Sequence, residues 1–106
     1  MIDIEKLKPE IIECLKPLNP DKIILFGSYA YGTPTEYSDI DLFIVKDIKK
    51  ENIREYKLNA KRKIRNLIVK YKTGFDIIVA SENFLKTRTD YFYQVDILQN
   101  GKILYE

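Results

Sequence analysis

Two aspartates that stand two residues apart, Asp39 and Asp41, are the residues of this chain best suited to chemistry. They open a run rich in branched and aromatic residues, 39–45, that is typical of a buried strand, so alternation places both carboxylates on one face. Mutual repulsion and burial raise the pKa of at least one such carboxyl unless a cation neutralises the pair. Because oxygen ligands suit a hard ion, the pair indicates a site for Mg²⁺ or Mn²⁺.

A Gly-Ser pair, Gly27 and Ser28, ends a strand-like run at residues 21–26, and ten residues separate it from Asp39. A strand that stops here and opens a short helix leaves backbone N–H groups and the Ser28 hydroxyl free to bind phosphate oxygens. Gly27 has no side chain, so a ligand can approach closely. Turn residues follow at 32–34, which is compatible with an antiparallel return of the next strand. The combination indicates chemistry on a nucleoside triphosphate.

A third acid, Asp76, stands inside another strand-like run, residues 74–79. A charge within an apolar strand is costly unless it is paired or bound to a metal, so we expect Asp76 to point toward Asp39 and Asp41. Taken alone, the residue fits equally well at a strand edge that faces water.

These residues resemble the motif of a known family, the minimal nucleotidyltransferases of the DNA polymerase beta superfamily, which include the MntA-type antitoxins paired with HEPN toxins. The family pattern is Gly-Ser, ten residues, Asp-x-Asp, and a third Asp on a later strand. The matching residues, in order, are Gly27, Ser28, Asp39, Asp41 and Asp76. The resemblance covers nearly the whole chain and implies that the three aspartates are catalytic and bind metal, whereas the Gly-Ser pair binds the nucleotide.

The resemblance implies a magnesium-dependent transfer of AMP from ATP to a hydroxyl, by two-metal catalysis. Two Mg²⁺ ions, or Mn²⁺ in their place, would lie among the three aspartates, and Asp76 would either bind metal only or also accept the proton of the nucleophile. The acceptor would be a tyrosine of a HEPN-type toxin, which the modification silences. Two alternatives stay open: a non-catalytic module that neutralises its partner by occlusion, and transfer to a small molecule or RNA.

Tyr31 departs from the family pattern, because many relatives carry arginine or lysine just before the second glycine. A cation there could contact the triphosphate, whereas Tyr31 offers only a hydroxyl or a ring face. Lys22, Lys46 or a basic side chain from elsewhere is then the candidate to replace that cation.

Composition narrows the class of protein. We expect residues 1–106 to form a single domain whose acceptor is supplied by a partner. The chain has 18 basic and 16 acidic residues, so its net charge is too small to attract nucleic acid strongly. Nucleic acid is therefore not expected as a direct ligand. It has no signal peptide and no long apolar stretch, so we expect a cytoplasmic protein without membrane contact. The lack of histidine excludes His-based triads, and the single cysteine, Cys14, is expected to be packed and inert.

The hydrophobic pattern predicts an α+β fold, in which a small mixed sheet of three strands, with a fourth at 102–105, is backed by two long helices. The first helix begins after a cap at Asp3, is kinked or restarted at Pro9 and ends before residue 20. The second covers residues 51–71 and has an apolar stripe that includes Ile68. Ser81 and Asp90 are predicted to cap two further helices, the latter over residues 91–99.

A set of basic residues lies opposite the apolar stripe of the second long helix. They are Lys57, Lys61, Arg62, Lys63, Arg65 and Lys70. We favour a solvated basic face over a docking surface for an acidic partner or RNA.

Overall fold

The computed structural model describes residues 2–106, which form one four-stranded sheet and the helices around it. The strands are β1 (Lys22–Phe26), β2 (Ile40–Val45), β3 (Phe75–Ala80) and β4 (Lys102–Tyr105). The helices are α1 (Ile4–Leu15), α2 (Ser28–Tyr31), α3 (Ile53–Tyr71), α4 (Glu82–Thr87) and a π-helix at Phe92–Gln99, with single 3-10 turns at Lys16–Leu18 and Lys50–Asn52.

The sheet is mixed, with the strand order β3-β2-β1-β4. Strand β1 pairs antiparallel with both β2 and β4, whereas β2 and β3 are parallel. A parallel pair needs a long crossover connection, and α3 supplies it. The predicted α+β fold is confirmed, including the antiparallel pairing of the first two strands and the additional strand at the C-terminal end of the chain.

Helices cover both faces of the sheet. Helices α1 and α3 cover one face and bury their apolar stripes against it, whereas α4 and the π-helix cover the other through Leu85 and Ile97. The predicted stripe of α3 is confirmed at Ala60 and Ile64, but Ile68 lies at its margin and is 36% exposed. Within residues 2–106, no helix is both long and apolar enough to cross a membrane.

Two of the predicted helix caps are present. The Asp3 carboxylate accepts a hydrogen bond from the Glu5 N–H (3.0 Å), and the Ser81 hydroxyl accepts one from the Phe84 N–H (3.1 Å). Each satisfies a backbone donor that the first turn of a helix leaves free.

The predicted cap at Asp90 and the alternative of a restart at Pro9 are wrong. Asp90 does not cap the last helix, because its carboxylate pairs with Arg88, two residues before it. Helix α1 continues through Pro9 without restarting. A proline inside a helix removes one backbone hydrogen bond, but Leu7 and Ile11 are fully buried on either side of it and hold both halves against the sheet.

Candidate active site

The parallel pairing of β2 and β3 brings two of the three aspartates together. Asp41 and Asp76 are directly paired in the register, and their carboxyl groups are close enough to hydrogen-bond when one is protonated. Asp39 lies one residue before β2 and is exposed, yet its charge still acts on Asp41. The structure therefore places the three acids at one end of adjacent strands, with Asp76 toward Asp41 as expected.

Asp41 has a strongly perturbed acid–base equilibrium. Its pKa is raised from 3.8 to about 6, first by burial and then by the neighbouring charges of Asp76 and Asp39. Burial and like charges both favour the neutral carboxyl, whereas a bound cation would favour the ionised form. Electrostatically, the site is suited to a cation.

Asp41 and Asp76 fit a divalent ion, because both present carboxylate oxygens to the same small volume. In the conformation described for residues 2–106, no three acidic side chains are already arranged around one metal position. Asp39 is the acid held apart, since its carboxylate lies against Gly74.

Two glycines make room for these carboxylates. A Cβ atom at Gly27 would lie 2.0 Å from Asp41 Oδ2, and one at Gly74 would lie 2.6 Å from Asp39 Oδ1. Gly27 also has a φ of 75° and a ψ of −161°, a backbone conformation that is essentially restricted to glycine. Gly27 is therefore required both for the turn after β1 and for the position of Asp41.

The turn after β1 presents backbone donors next to Asp41. The N–H groups of Ala30 and Tyr31 donate to the Gly27 carbonyl, so those of Ser28 and Tyr29 precede the first hydrogen bond of α2. Phe26, the last residue of β1, is paired with Asp41 in the register. The Gly-Ser turn and the carboxylates thus lie at the same end of the sheet, as the spacing of the motif indicates.

An open pocket of about 410 Å³ contains Asp41 and Asp76. Its other walls are three aromatic residues, two isoleucines and two lysines: Phe26, Phe75, Phe92, Ile77, Ile78, Lys57 and Lys61. The two lysines belong to α3 and stand one helical turn apart, so they bring positive charge to the rim of an acidic site.

The sequence interpretation grouped these two lysines with the basic face of α3 and did not predict that they line the pocket of Asp41 and Asp76, where Lys57 is partly buried and Lys61 is exposed. Lys57 and Lys61 follow Tyr56 and Ala60, two members of the buried stripe, by one residue each. Side chains that flank a buried stripe can reach around the edge of the sheet that the helix covers. That adjacency is the signal in the sequence that distinguishes them from Lys63.

The basic residues considered as substitutes at Tyr31 lie elsewhere. Lys22 forms an ion pair with Glu82 (3.2 Å), and Lys46 Nζ donates to the Asn19 carbonyl (2.6 Å). Lys22 is paired with Val45, four residues along β2 from Asp41, so both lysines lie at the far end of the sheet. Lys22 and Lys46 are therefore excluded as contacts of a phosphate held near Asp41.

The Tyr31 side chain is directed toward the π-helix. Burial, and next a hydrogen bond with the Asp96 carboxylate, raise the pKa of its hydroxyl. The Tyr31 hydroxyl is thus held by Asp96 of the π-helix, which covers the same face of the sheet as Asp41 and Asp76.

This arrangement of a Gly-Ser turn over paired carboxylates agrees with the comparison to known families. The family model described as the nucleotidyltransferase domain matches residues 8–104. The chain belongs to this family. As a nucleotidyltransferase domain it carries the whole motif within the matched range.

Similar sequences and structures are consistent with that assignment. A protein of Methanocaldococcus jannaschii named putative protein adenylyltransferase is 36% identical over 95% of this chain and 97% of its own length. A second protein of that organism with the same name is 34% identical over 88% of each chain. A toxin–antitoxin crystal structure with AMP-PNP has a TM-score of 0.60 at 22% identity, covering 92% of this nucleotidyltransferase and 72% of that chain. A mutant MntA-HpeT toxin–antitoxin structure has a TM-score of 0.59 at 18% identity, covering 92% and 71%.

The raised pKa of Asp41 predicts how the stability of the metal-free nucleotidyltransferase depends on pH. Folding raises the pKa from 3.8 to about 6, so the folded state holds a proton that the unfolded state releases. The resulting stabilisation is complete below about pH 4 and is lost as the pH rises through 6. Urea unfolding in EDTA should give a free energy of unfolding that falls between pH 5 and 7 in the wild type and stays flatter in Asp41→Asn.

The control for this measurement is Asp47→Asn, which removes an exposed carboxylate just beyond the other end of β2. Its pH dependence should follow that of the wild type. Identical profiles for Asp41→Asn and the wild type would show that Asp41 does not titrate as described.

Proposed function

We propose that this nucleotidyltransferase is a Mg²⁺-dependent protein adenylyltransferase that moves AMP from ATP to a tyrosine hydroxyl of a HEPN-type toxin and thereby acts as its antitoxin. The observation that carries the proposal is the contact of Asp41 with Asp76 beside the Gly27–Ser28 turn, in a chain of the nucleotidyltransferase family. Relatives named as protein adenylyltransferases, and toxin–antitoxin structures of the same fold, support the choice of acceptor.

The three aspartates would hold two magnesium ions. When bound, these ions neutralise charge on the triphosphate and make the attacking hydroxyl more acidic. The donor set suits them because Asp39, Asp41 and Asp76 supply only oxygen ligands.

The residues of the chain itself position the reactants. The free N–H groups of Ser28 and Tyr29 orient the phosphate oxygens next to Asp41, and Lys61 adds positive charge at the rim. The tyrosine oxygen of the acceptor attacks the α-phosphorus, a new P–O bond forms, and the bond to the β-phosphate oxygen breaks to release pyrophosphate. Asp76, which is exposed on the edge strand, would accept the hydroxyl proton.

The modification has a physical reason to silence a ribonuclease. An AMP group adds a phosphodiester charge and considerable bulk to a surface that must bind RNA phosphates, so it opposes substrate binding by repulsion and by exclusion. Because ATP is the donor, we place the reaction in the cytoplasm, and we propose that residues 1–106 act as one domain.

Label transfer tests the proposal directly. The protein is incubated with Mg²⁺, the product of the neighbouring gene and ATP labelled at the α-phosphate, with γ-labelled ATP as the matched control. We expect label on the partner from α-labelled ATP only, at a tyrosine found by mass spectrometry. Label from γ-labelled ATP would indicate phosphate transfer. A tight complex that blocks the toxin without any label would show a binding module instead.

The metal can be tested without a partner. We expect Mn²⁺ with ATP to raise the melting temperature of the wild type, since a ligand at 100 times its Kd stabilises the folded state by about 2.7 kcal/mol. For a domain of this size such stabilisation corresponds to roughly 10 °C. Asp39→Asn should reduce the shift and Asp47→Asn should not. An equal shift in Asp39→Asn and the wild type would remove Asp39 from the metal site.

A further inference from the structure

A second concavity adjoins the acidic pocket along the outer edge of β3. Its volume is about 610 Å³, and we call it the edge groove. It is lined by Ile48, Lys50, Ile53, Arg54, Lys57, Ile78, Val79, Ala80, Ser81, Phe84 and Tyr93. Lys57 and Ile78 also line the pocket that contains Asp76, so the edge groove leads directly to the carboxylates.

The edge groove contains a free strand edge. Strand β3 is the last in the sheet and pairs only with β2. The Gly74 carbonyl accepts a hydrogen bond from Ile40 of β2, and the Ala80 carbonyl accepts one from Lys46, directly after β2. By alternation, the backbone groups of Phe75, Ile77 and Val79 point away from the sheet. Within residues 2–106, no hydrogen bond satisfies that outer side of β3. An extended peptide could pair with it.

The two sides of this edge differ in chemistry. On the side of α3 stand Lys50, Arg54 and Lys57, and the lining of the edge groove includes no acidic residue. On the opposite side stand Phe84 and Tyr93, whose rings pack edge to face with their centroids 5.7 Å apart. A strand added to β3 would therefore present one set of alternate side chains to cations and the other set to aromatic rings.

We propose that the edge groove binds an extended segment of the partner protein, in which acidic side chains alternate with apolar ones, and that this segment adds to β3 as a strand. This proposal rests on the proposed function, since the segment carries the acceptor hydroxyl. Asp76 and Ile78 share one face of β3, so the acceptor side chain and the apolar residues point toward Phe84, and the acidic residues point toward Arg54 and Lys57.

The order of the turn, Asp41 and Asp76 across the sheet supports an approach of the acceptor from the β3 edge. The Gly27–Ser28 turn follows β1, Asp41 stands on β2 and Asp76 on the edge strand. Phosphates bound at the turn would occupy the β1 side of Asp41, which leaves the β3 side for the acceptor. The edge groove begins about two residues along β3 from Asp76, which corresponds to about 7 Å.

A peptide fits this surface better than RNA. A strand edge offers alternating N–H and C=O groups that a peptide backbone can pair with, and the lining is largely aliphatic, including Ile48, Ile53 and Val79. Single-stranded RNA is bound on a broad basic groove with exposed aromatic platforms for stacking. The cations that line the edge groove, Lys50, Arg54 and Lys57, lie on the side of α3, which suits alternating acidic side chains.

Binding can be measured without transfer, using the acetylated hexapeptide Glu-Val-Glu-Val-Glu-Tyr amide as the probe. We expect about 1 mM peptide to shift the amide NMR signals of Ile77 and Val79 in ¹⁵N-labelled protein. The matched control peptide carries N-methyl groups on both valines and on the glutamate that follows each of them. These groups block pairing at both edges of the peptide, in either strand direction, and leave its charge unchanged, so this peptide should not shift the signals. No shift at β3 with the first peptide, or equal shifts with both, would overturn the proposal, as would stronger shifts with decauridylate.

Charge-reversal variants test whether the edge groove, and not another part of α3, binds the hexapeptide. Arg54→Glu should weaken binding of the hexapeptide by about tenfold or more, because it opposes the glutamates of the probe. The matched variant Lys63→Glu alters the same helix on the side of α1, near Cys14, and should bind like the wild type. Equal weakening by the two variants would show that net charge, not the edge groove, controls binding.

The proposed function and the edge groove can fail separately. If the wild type labels its partner and Arg54→Glu labels it at the same rate, the proposed peptide site is wrong and the proposed adenylyltransferase activity is supported. If the wild type labels nothing while the hexapeptide still shifts β3 and Arg54→Glu abolishes that shift, the proposed function is wrong and the peptide site stands.

Discussion

Replacing Asp41 with asparagine should abolish AMP transfer while leaving a folded and, without metal, more stable protein. The substitution removes the charge that the fold places between the Gly-Ser turn and Asp76. We expect the rate of transfer to fall at least about a thousandfold, which corresponds to about 4 kcal/mol of transition-state stabilisation. The measurement is label transfer from α-labelled ATP at saturating Mg²⁺.

Asp41→Asn is informative because it should lower the rate of transfer and raise the stability of the metal-free protein. Burial and the charges of Asp76 and Asp39 make an ionised Asp41 unfavourable at neutral pH, so a neutral amide relieves that cost in the metal-free protein. A variant that loses activity because it unfolds would show lower stability instead. Asp47→Asn, with the same chemical change at an exposed position, should keep both activity and stability. Transfer by Asp41→Asn at the wild-type rate would remove Asp41 from the mechanism.

Gly27→Ala should impair both the fold and the site, whereas Gly32→Ala should affect mainly stability. Gly27 has a φ of 75° and a ψ of −161°, which costs a non-glycine residue about 1 to 3 kcal/mol. Its Cβ atom would also lie 2.0 Å from Asp41 Oδ2, so the Asp41 carboxylate must move. Because a displacement of about 1 Å at a catalytic site can cost about a hundredfold in rate, we expect a loss of transfer of that order.

Gly32 is a close control within the same motif. It has nearly the same φ, 76°, but a Cβ atom there would meet no atom within 4 Å. Gly32→Ala should therefore lower the free energy of unfolding by about 1 kcal/mol and keep most of the transfer activity. Urea unfolding and label transfer on both variants separate backbone strain from displacement of Asp41. Equal activity in the two variants would show that the contact between Gly27 and Asp41 has no catalytic consequence.

The sequence by itself determined the features that depend on near neighbours. Short continuous apolar runs located the strands that hold Asp41 and Asp76, and the spacing of the Gly-Ser pair placed the turn beside them. The caps at Asp3 and Ser81 are local in the same way, since each involves residues two or three apart. These features can be read from the sequence because their energies come from contacts within a few positions.

The tertiary structure alone decided which distant residues meet. Parallel pairing of β2 with β3 sets Asp76 beside Asp41, and the packing of α3 over the β3 edge brings Lys57 and Lys61 of its basic face to the rim of the acidic pocket. Helix periodicity specifies which face of α3 is buried, but not which strand edge its flanking side chains reach. That choice is made by the global packing of the sheet and helices, which no local pattern encodes.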